Sequence, residues 1–334
     1  MTYSSGGLIE DVDYNGFANN TVGANVNTIW GVGSGDSGYG QGSTLATVSD
    51  GTDITATQWA NLNNRISSIA NQTGTTITSR TNPVVGDTIG ILAALNTDLT
   101  NCTTNRGNAQ LSGTLSDTWS GNIAKTTATG SGQAAWTITF THTVTFPSAN
   151  QARYFFNAGG LIRLDMSKSS TGTDSDPDWN SFAGTVGALF LSGRVNNANQ
   201  TIAGTSYTGF TRSGGSGSPS PFASTTGWYT LAAGAAATTM FQLNNTVTPY
   251  TGNYIRVTAA KNAASTAITF VTTWVSTGAT GFGTTADISG GTDTVSPFTL
   301  GFGTAPAVLC RVLPPSTTFL TNTWGTPTVS ATVA

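Results

Sequence analysis

The chain has 334 residues, a length that suits two or three domains of ordinary size, and 37% of them are hydrophobic, enough for a sizeable core. Only 8% are charged, against about 25% in an average soluble domain, and the net charge is −3; with 8 Trp, 15 Phe and 8 Tyr this is a folded chain under a neutral polar skin, not a disordered one. The 12 Lys and Arg are scattered singly, which argues against a nucleic-acid partner, and no apolar run approaches the ~18 residues of a membrane span.

Taken in chain order, Val22, Val26, Ile29 and Trp30 suggest a helix inside Tyr14–Trp30. A glycine-dense loop follows, Gly31-Val32-Gly33-Ser34-Gly35-Asp36-Ser37-Gly38-Tyr39-Gly40-Gln41. Glycines in such a loop could cradle phosphate, but no strand–helix unit and no Lys in P-loop position accompany it, so a tight structural loop is the preferred reading. Between Asp53 and Gln72, Trp59, Leu62, Ile66 and Ile69 recur at helical spacing; Thr55 with Gln58 forms a capping box and Gly74 ends the segment. A second helix is expected from Asp87 to Asn105, with Thr88, Ile91, Leu92, Leu95, Leu99 and Cys102 on one stripe. That stripe is short for a coiled coil, and packing within the same domain is preferred to an oligomer seam.

After Asn108 the period becomes two. Trp136, Ile138, Phe140, His142, Val144 and Phe146 share one face of a strand, Thr residues line the other, and Pro147 ends it. Arg153–Phe156 and Leu161–Met166 flank Gly159-Gly160, a hairpin signal. Further strands are expected at Gly187–Leu191, Gly227–Leu231, Thr239–Leu243, Tyr254–Ala259, Ala267–Val275, Ala307–Leu313 and Thr328–Val333. Gly204–Ser224 reads as a long exposed loop. The expected architecture is therefore α+β and mainly β. A small helical part (residues 1–110) precedes an antiparallel β-sandwich or jelly-roll-like domain (111–334).

Residues that could do chemistry are few. His142, the single histidine, lies on an apolar strand face among threonines and reads as a core or interface histidine. Cys102 and Cys310 leave one long-range disulfide open, although buried cysteines more often act as small hydrophobes. Asp174, Asp176 and Asp178 alternate around Pro177 and could offer oxygens to Ca²⁺; without the glycine and glutamate of an EF-hand spacing, a solvated acidic loop is preferred. Fifteen acids leave glycan cleavage open, but no fixed-period repeat accompanies them. Tyr207, Trp228 and Tyr229 are candidates for surface contact with sugars, although burial in the core is the preferred reading. No catalytic residue, metal or cofactor is assigned.

Two blocks carry a resemblance. The first runs through Tyr14-Asn15-Gly16-Phe17, Val26–Gln41 and Ile54–Leu62; the second is Phe140–Phe146 with Ala152–Arg163. Both resemble virion structural proteins of tailed bacteriophages, most of all those of cyanobacteria and other aquatic bacteria, and both lie within residues 14–163. The resemblance implies a virion component of the tail or tail fibre, with the helical part docking onto the particle through Trp30, Trp59, Leu62 and Ile66, and transfers no catalytic residue. It leads us to expect a homo-oligomer, with a trimer as the first guess, in contact with other virion proteins, and makes a host-surface glycan a further candidate partner. Receptor binding through the 204–224 region and a purely scaffolding role, in tail, baseplate or capsid decoration, are the competing readings. Met1-Thr2-Tyr3-Ser4 opens without the basic and apolar regions of a signal peptide, as expected of a particle protein made in the host cytoplasm.

Overall fold

Local chemistry sets the helices of the first third. In this computed structural model, which describes residues 10–19, 25–87, 92–108, 119–125, 127–131, 135–169, 175–193, 199–248, 250–277, 298–299 and 306–334, α1 (Asp11–Asn19) and α2 (Val26–Trp30) replace the single helix expected before Trp30. Asn25 caps α2 by accepting from the Thr28 N–H at 2.9 Å. Helix α3 (Ala56–Thr73) starts at the expected capping box: the Thr55 hydroxyl accepts from the Gln58 N–H at 3.3 Å and the Gln58 carboxamide accepts from the Thr55 N–H at 2.7 Å. It stops at Gly74, whose φ of 66° is the left-handed conformation that glycine adopts without strain. Helix α4 (Leu92–Thr104) packs on α3 through Leu95, Leu99 and Cys102.

The remainder is mainly β, and every ladder is antiparallel. The strands are β1 (Trp119–Ala124), β2 (Thr127–Ser131), β3 (Ala135–Thr145), β4 (Leu161–Ser167), β5 (Ala188–Leu191), β6 (Gln200–Ile202), β7 (Thr205–Tyr207), β8 (Phe210–Ser213), β9 (Thr238–Asn244), β10 (Tyr254–Lys261), β11 (Ala267–Ser276), β12 (Phe298–Thr299), β13 (Ala307–Leu313) and β14 (Thr328–Val333). They form a five-stranded sheet, β1-β13-β4-β5-β8, a seven-stranded sheet, β12-β2-β3-β11-β10-β9 with β14 on β3, and the β6–β7 hairpin. Strand β3 organises the larger sheet: β11 runs along one edge for its full length, while β2 and β14 share the other.

Two sheets with one apolar face each must bury them together. Ile138, Phe140, Val257 and Phe270 of the larger sheet and Leu164, Leu189, Val308 and Cys310 of the smaller one belong to a single core, a sandwich-like arrangement. Trp179, from helix α6 (Ser175–Val186), stacks on Trp274 at 5.6 Å and meets Trp136 at 4.8 Å. Pairs of this kind contribute about 0.5–1.5 kcal/mol beyond their buried area. At Gly121 the sheets come so close that an added Cβ would lie 2.7 Å from a Val329 methyl.

Three sequence expectations are corrected. Arg153–Phe156 is not a hairpin strand but part of helix α5 (Ala149–Asn157). The Ser148 hydroxyl caps it on the Gln151 N–H at 3.2 Å, and Ala152, Phe155 and Phe156 bury one face, so capping and helical spacing outweigh the aromatic strand preference. Gly227–Leu231 is a turn, closed by the Leu231 N–H donating to the Gly227 carbonyl at 3.0 Å and by the Thr230 hydroxyl accepting from the Gly227 N–H at 2.8 Å. Gly204–Ser224 is not one loop: β7 and β8 lie within it, and the continuously open stretch is confined to residues 213–221, where only Pro219 is half-buried.

The helical part and the β part share the same core, which runs from Tyr14 and Phe17 to Leu320 and Trp324. The boundary expected at 110/111 lies outside the described residues.

Candidate functional site

The residues assigned to docking and surface contact are mostly spent inside the chain. Trp59 (2% exposed), Leu62 and Ile66 form the buried face of α3, where Tyr14 meets the Trp59 indole edge-on at 5.8 Å. They hold the helices together and are not available to another subunit. Trp30 is half-buried: its indole N–H donates to the Gly42 carbonyl at 3.0 Å and the Arg65 guanidinium sits 4.0 Å over its ring. Trp228 (2% exposed) stacks on Phe156 at 4.9 Å, and its carbonyl accepts from the Lys261 ammonium at 2.8 Å. Tyr207 (4% exposed) packs on Phe190 at 5.0 Å in a small second core under the β6–β7 hairpin. Tyr229 is half-buried and donates its hydroxyl to the Asn157 carboxamide. Tyr207 and Trp228 are therefore packing residues and not surface contacts, in line with the preferred reading, because large apolar rings gain more by leaving water than by facing it.

The reactive side chains are buried too. His142 lies at the inner face of β3, its Nε2 3.0 Å from the Gly121 carbonyl of the opposite sheet. Burial lowers its pKa, more than the backbone contacts at Gly121 and Val308 raise it, so the ring is held neutral. Both cysteines are free and buried; burial pushes the Cys102 thiol up to about 11 and the Cys310 thiol higher still. Neither supplies a thiolate nucleophile near neutral pH. Asp174 lies outside the described residues, as do the side chains of Asp176 and Pro177. Asp178 is not in a solvated loop but in α6, where the Asn245 carboxamide donates to it at 2.6 Å while burial raises its pKa. Among the described residues no three potential metal ligands cluster, and no helix is long and apolar enough to cross a membrane.

The glycine loop 31–41 is structural. Its carbonyls accept from α5, with Arg153 donating to Val32, Gly35 and Ser37 and Asn157 donating to Gly38 at 2.8 Å, while the N–H groups of Tyr39, Gly40 and Gln41 are spent on the carbonyls of Ile29, Gly31 and Trp30. A phosphate cradle needs the opposite polarity.

A concave polar feature lies on the surface of the helical part, and no motif in the sequence announced it. Asn63, Ser67 and Asn71 follow one another at intervals of four along α3, beside the buried stripe, and Asn64 adjoins them. The segment 77–82 passes opposite, contributing Ile77, Thr78, Ser79, Arg80 and Asn82, and together they line a pocket of about 290 Å³. The Asn82 carboxamide donates to the Asn64 Oδ1 at 2.8 Å and clasps the two walls. Arg80 forms an ion pair with the buried Asp98 of α4, which also accepts from the Thr78 N–H at 3.1 Å. The i, i+4 spacing of small polar residues was the one sequence signal available for this site. Compared with protein-family models, curated proteins and solved structures, the chain matches none, so the site is read from its own residues.

Proposed function

We propose that this chain is a non-enzymatic structural component of a tailed-phage particle, associated with the tail or a fibre, that works through assembly and surface contact. The observation that carries the reading is the sealing of the single histidine and both cysteines into one core under a nearly uncharged skin. A skin of Thr, Asn, Ser and Gly offers many hydrogen bonds and little repulsion between copies, which suits ordered assembly. The two blocks within residues 14–163 that resemble virion proteins support the same reading. Assembly into a trimer with neighbouring virion proteins is part of the proposal. With Trp59, Leu62 and Ile66 inside the fold, subunit contacts would use the exposed residues, among which Val84 and Val85 form an adjacent apolar pair.

A second reading, adhesion to a host-surface glycan, is favoured by the open stretch 213–221, which the core aromatics leave free. The test is mass spectrometry and cryo-electron microscopy of purified particles. The chain should co-purify at a stoichiometric copy number and occupy density in the tail or a fibre. Recovery only in the particle-free fraction would overturn the proposal. Deletion of residues 214–219 that abolishes adsorption while particles stay intact would favour adhesion.

A further inference from the structure

We infer that the pocket between α3 and residues 77–82 binds a single uncharged, hydroxyl-rich ring, a pyranose unit. Four carboxamides and three hydroxyls line the pocket together with one aliphatic side chain, Ile77, whose body packs on the core. A carboxamide presents both a donor and an acceptor, as does a hydroxyl, and a ligand carrying both around its edge complements such a wall. The side chains of Asn63, Ser67, Asn71 and Ser79 make no hydrogen bond to any described residue, so their capacity is open to a ligand.

Charge narrows the class. Arg80 brings the only formal charge to the lining, and Asp98 behind it neutralises that charge. An anionic ligand would find no net field, and a cation would find no carboxylate facing it. Size narrows it again. A volume of about 290 Å³ lies at the lower edge of small-ligand sites and admits one ring with its substituents, not an oligosaccharide.

The walls are also held in place before any ligand arrives. The Asn82–Asn64 clasp ties the segment to α3, the Arg80–Asp98 pair ties it to α4, and the Arg80 donation to the Thr78 carbonyl at 3.2 Å braces it internally. Preorganisation of this kind lowers the entropy cost of binding.

The experiment is saturation-transfer NMR and calorimetric titration of the full chain with glucose, galactose, mannose and N-acetylglucosamine, with glucuronate as the charged control. At least one neutral pyranose should bind with a Kd on the order of 1 mM, as expected for so few heavy atoms. Glucuronate should bind no better. Asn63→Ala with Asn71→Ala, both on the solvent side of α3, should weaken binding roughly tenfold with an unchanged melting temperature. As a second measurement that does not depend on the variant folding, the side-chain amide resonances of Asn63, Asn71 and Asn82 should shift on titration. Absence of saturation for all four sugars up to about 50 mM would overturn the inference. So would a folded double variant that binds like the parent, or shifts confined to amides outside the pocket.

Discussion

The helical part and the β part solve the same problem in different ways. In the strands of the β part the backbone groups pair in ladders, and the side chains are free to alternate between the two faces, as in the unbroken alternation of β11. In the helical part, residues 31–54 form no helix or strand, yet their backbone still needs partners. Carboxamides supply them. Asn15 donates to the Val48 carbonyl and accepts from the Val48 N–H, each at 2.8 Å. Asn27 does the same with Leu45, again at 2.8 Å in both directions. Gln41 repeats the arrangement with Thr321, at 2.9 Å in both directions, and so ties the helical part to the segment before β14. Each carboxamide imitates the edge of a strand. The contrast explains the composition: an uncharged amide can pin irregular backbone in a half-buried site where an ionised side chain would bear a desolvation cost.

If one core unites both regions, damage to either should melt both. Trp274→Ala removes a fully buried indole between Phe140 and Trp179 and should cost about 3–5 kcal/mol. Leu62→Ala in α3 should cost about 2–5 kcal/mol. For both variants, denaturation followed by far-ultraviolet dichroism and by tryptophan fluorescence should give coincident curves. Two separated transitions in the Leu62 variant would show that the helical part folds independently.

Gln41→Ala cuts the tie without touching the apolar core. It strands the Thr321 N–H and should cost about 1–3 kcal/mol. Hydrogen exchange should then quicken in 39–45 and 320–325 before it does in β3. Thr55→Ala tests a purely local device, the capping box, and should cost about 1 kcal/mol by denaturant midpoint.

The smallest effect is confined to acid. Because burial depresses the His142 pKa, the unfolded chain takes up that proton first as pH falls below the ordinary histidine value of about 6.5. Acid then favours unfolding, and the stability held above that pH declines below it. Denaturant midpoints in the parent should drop between about pH 7 and about pH 5, and His142→Gln should flatten that slope. An equal slope in both would assign it to other groups.

Reading α3 from its sequence was straightforward, since Thr55, Gln58, Gly74 and the Trp59–Ile69 stripe act within a few residues of one another. The strand at 136–146 was legible for the same reason: alternation is a local pattern, and β3 keeps it. The 153–156 segment was misread because an aromatic run beside two glycines suits a strand as well as a helix, and only the Ser148 cap and the surrounding core decide between them. For Tyr207, Trp228 and Tyr229, composition could not say which ring would find a neighbour; Phe190, Phe156 and Asn157 are distant in sequence. The pocket was hidden likewise, because its opposite wall follows α3 across a turn whose path depends on Asp98 of the next helix. The amino-acid sequence by itself determined the fold class, through composition, period and turn chemistry, all of which act over a few bonds. The sharing of one core, the carboxamide ties and the concave polar site were decided only by tertiary structure, because each depends on contacts between residues that the chain brings together from afar.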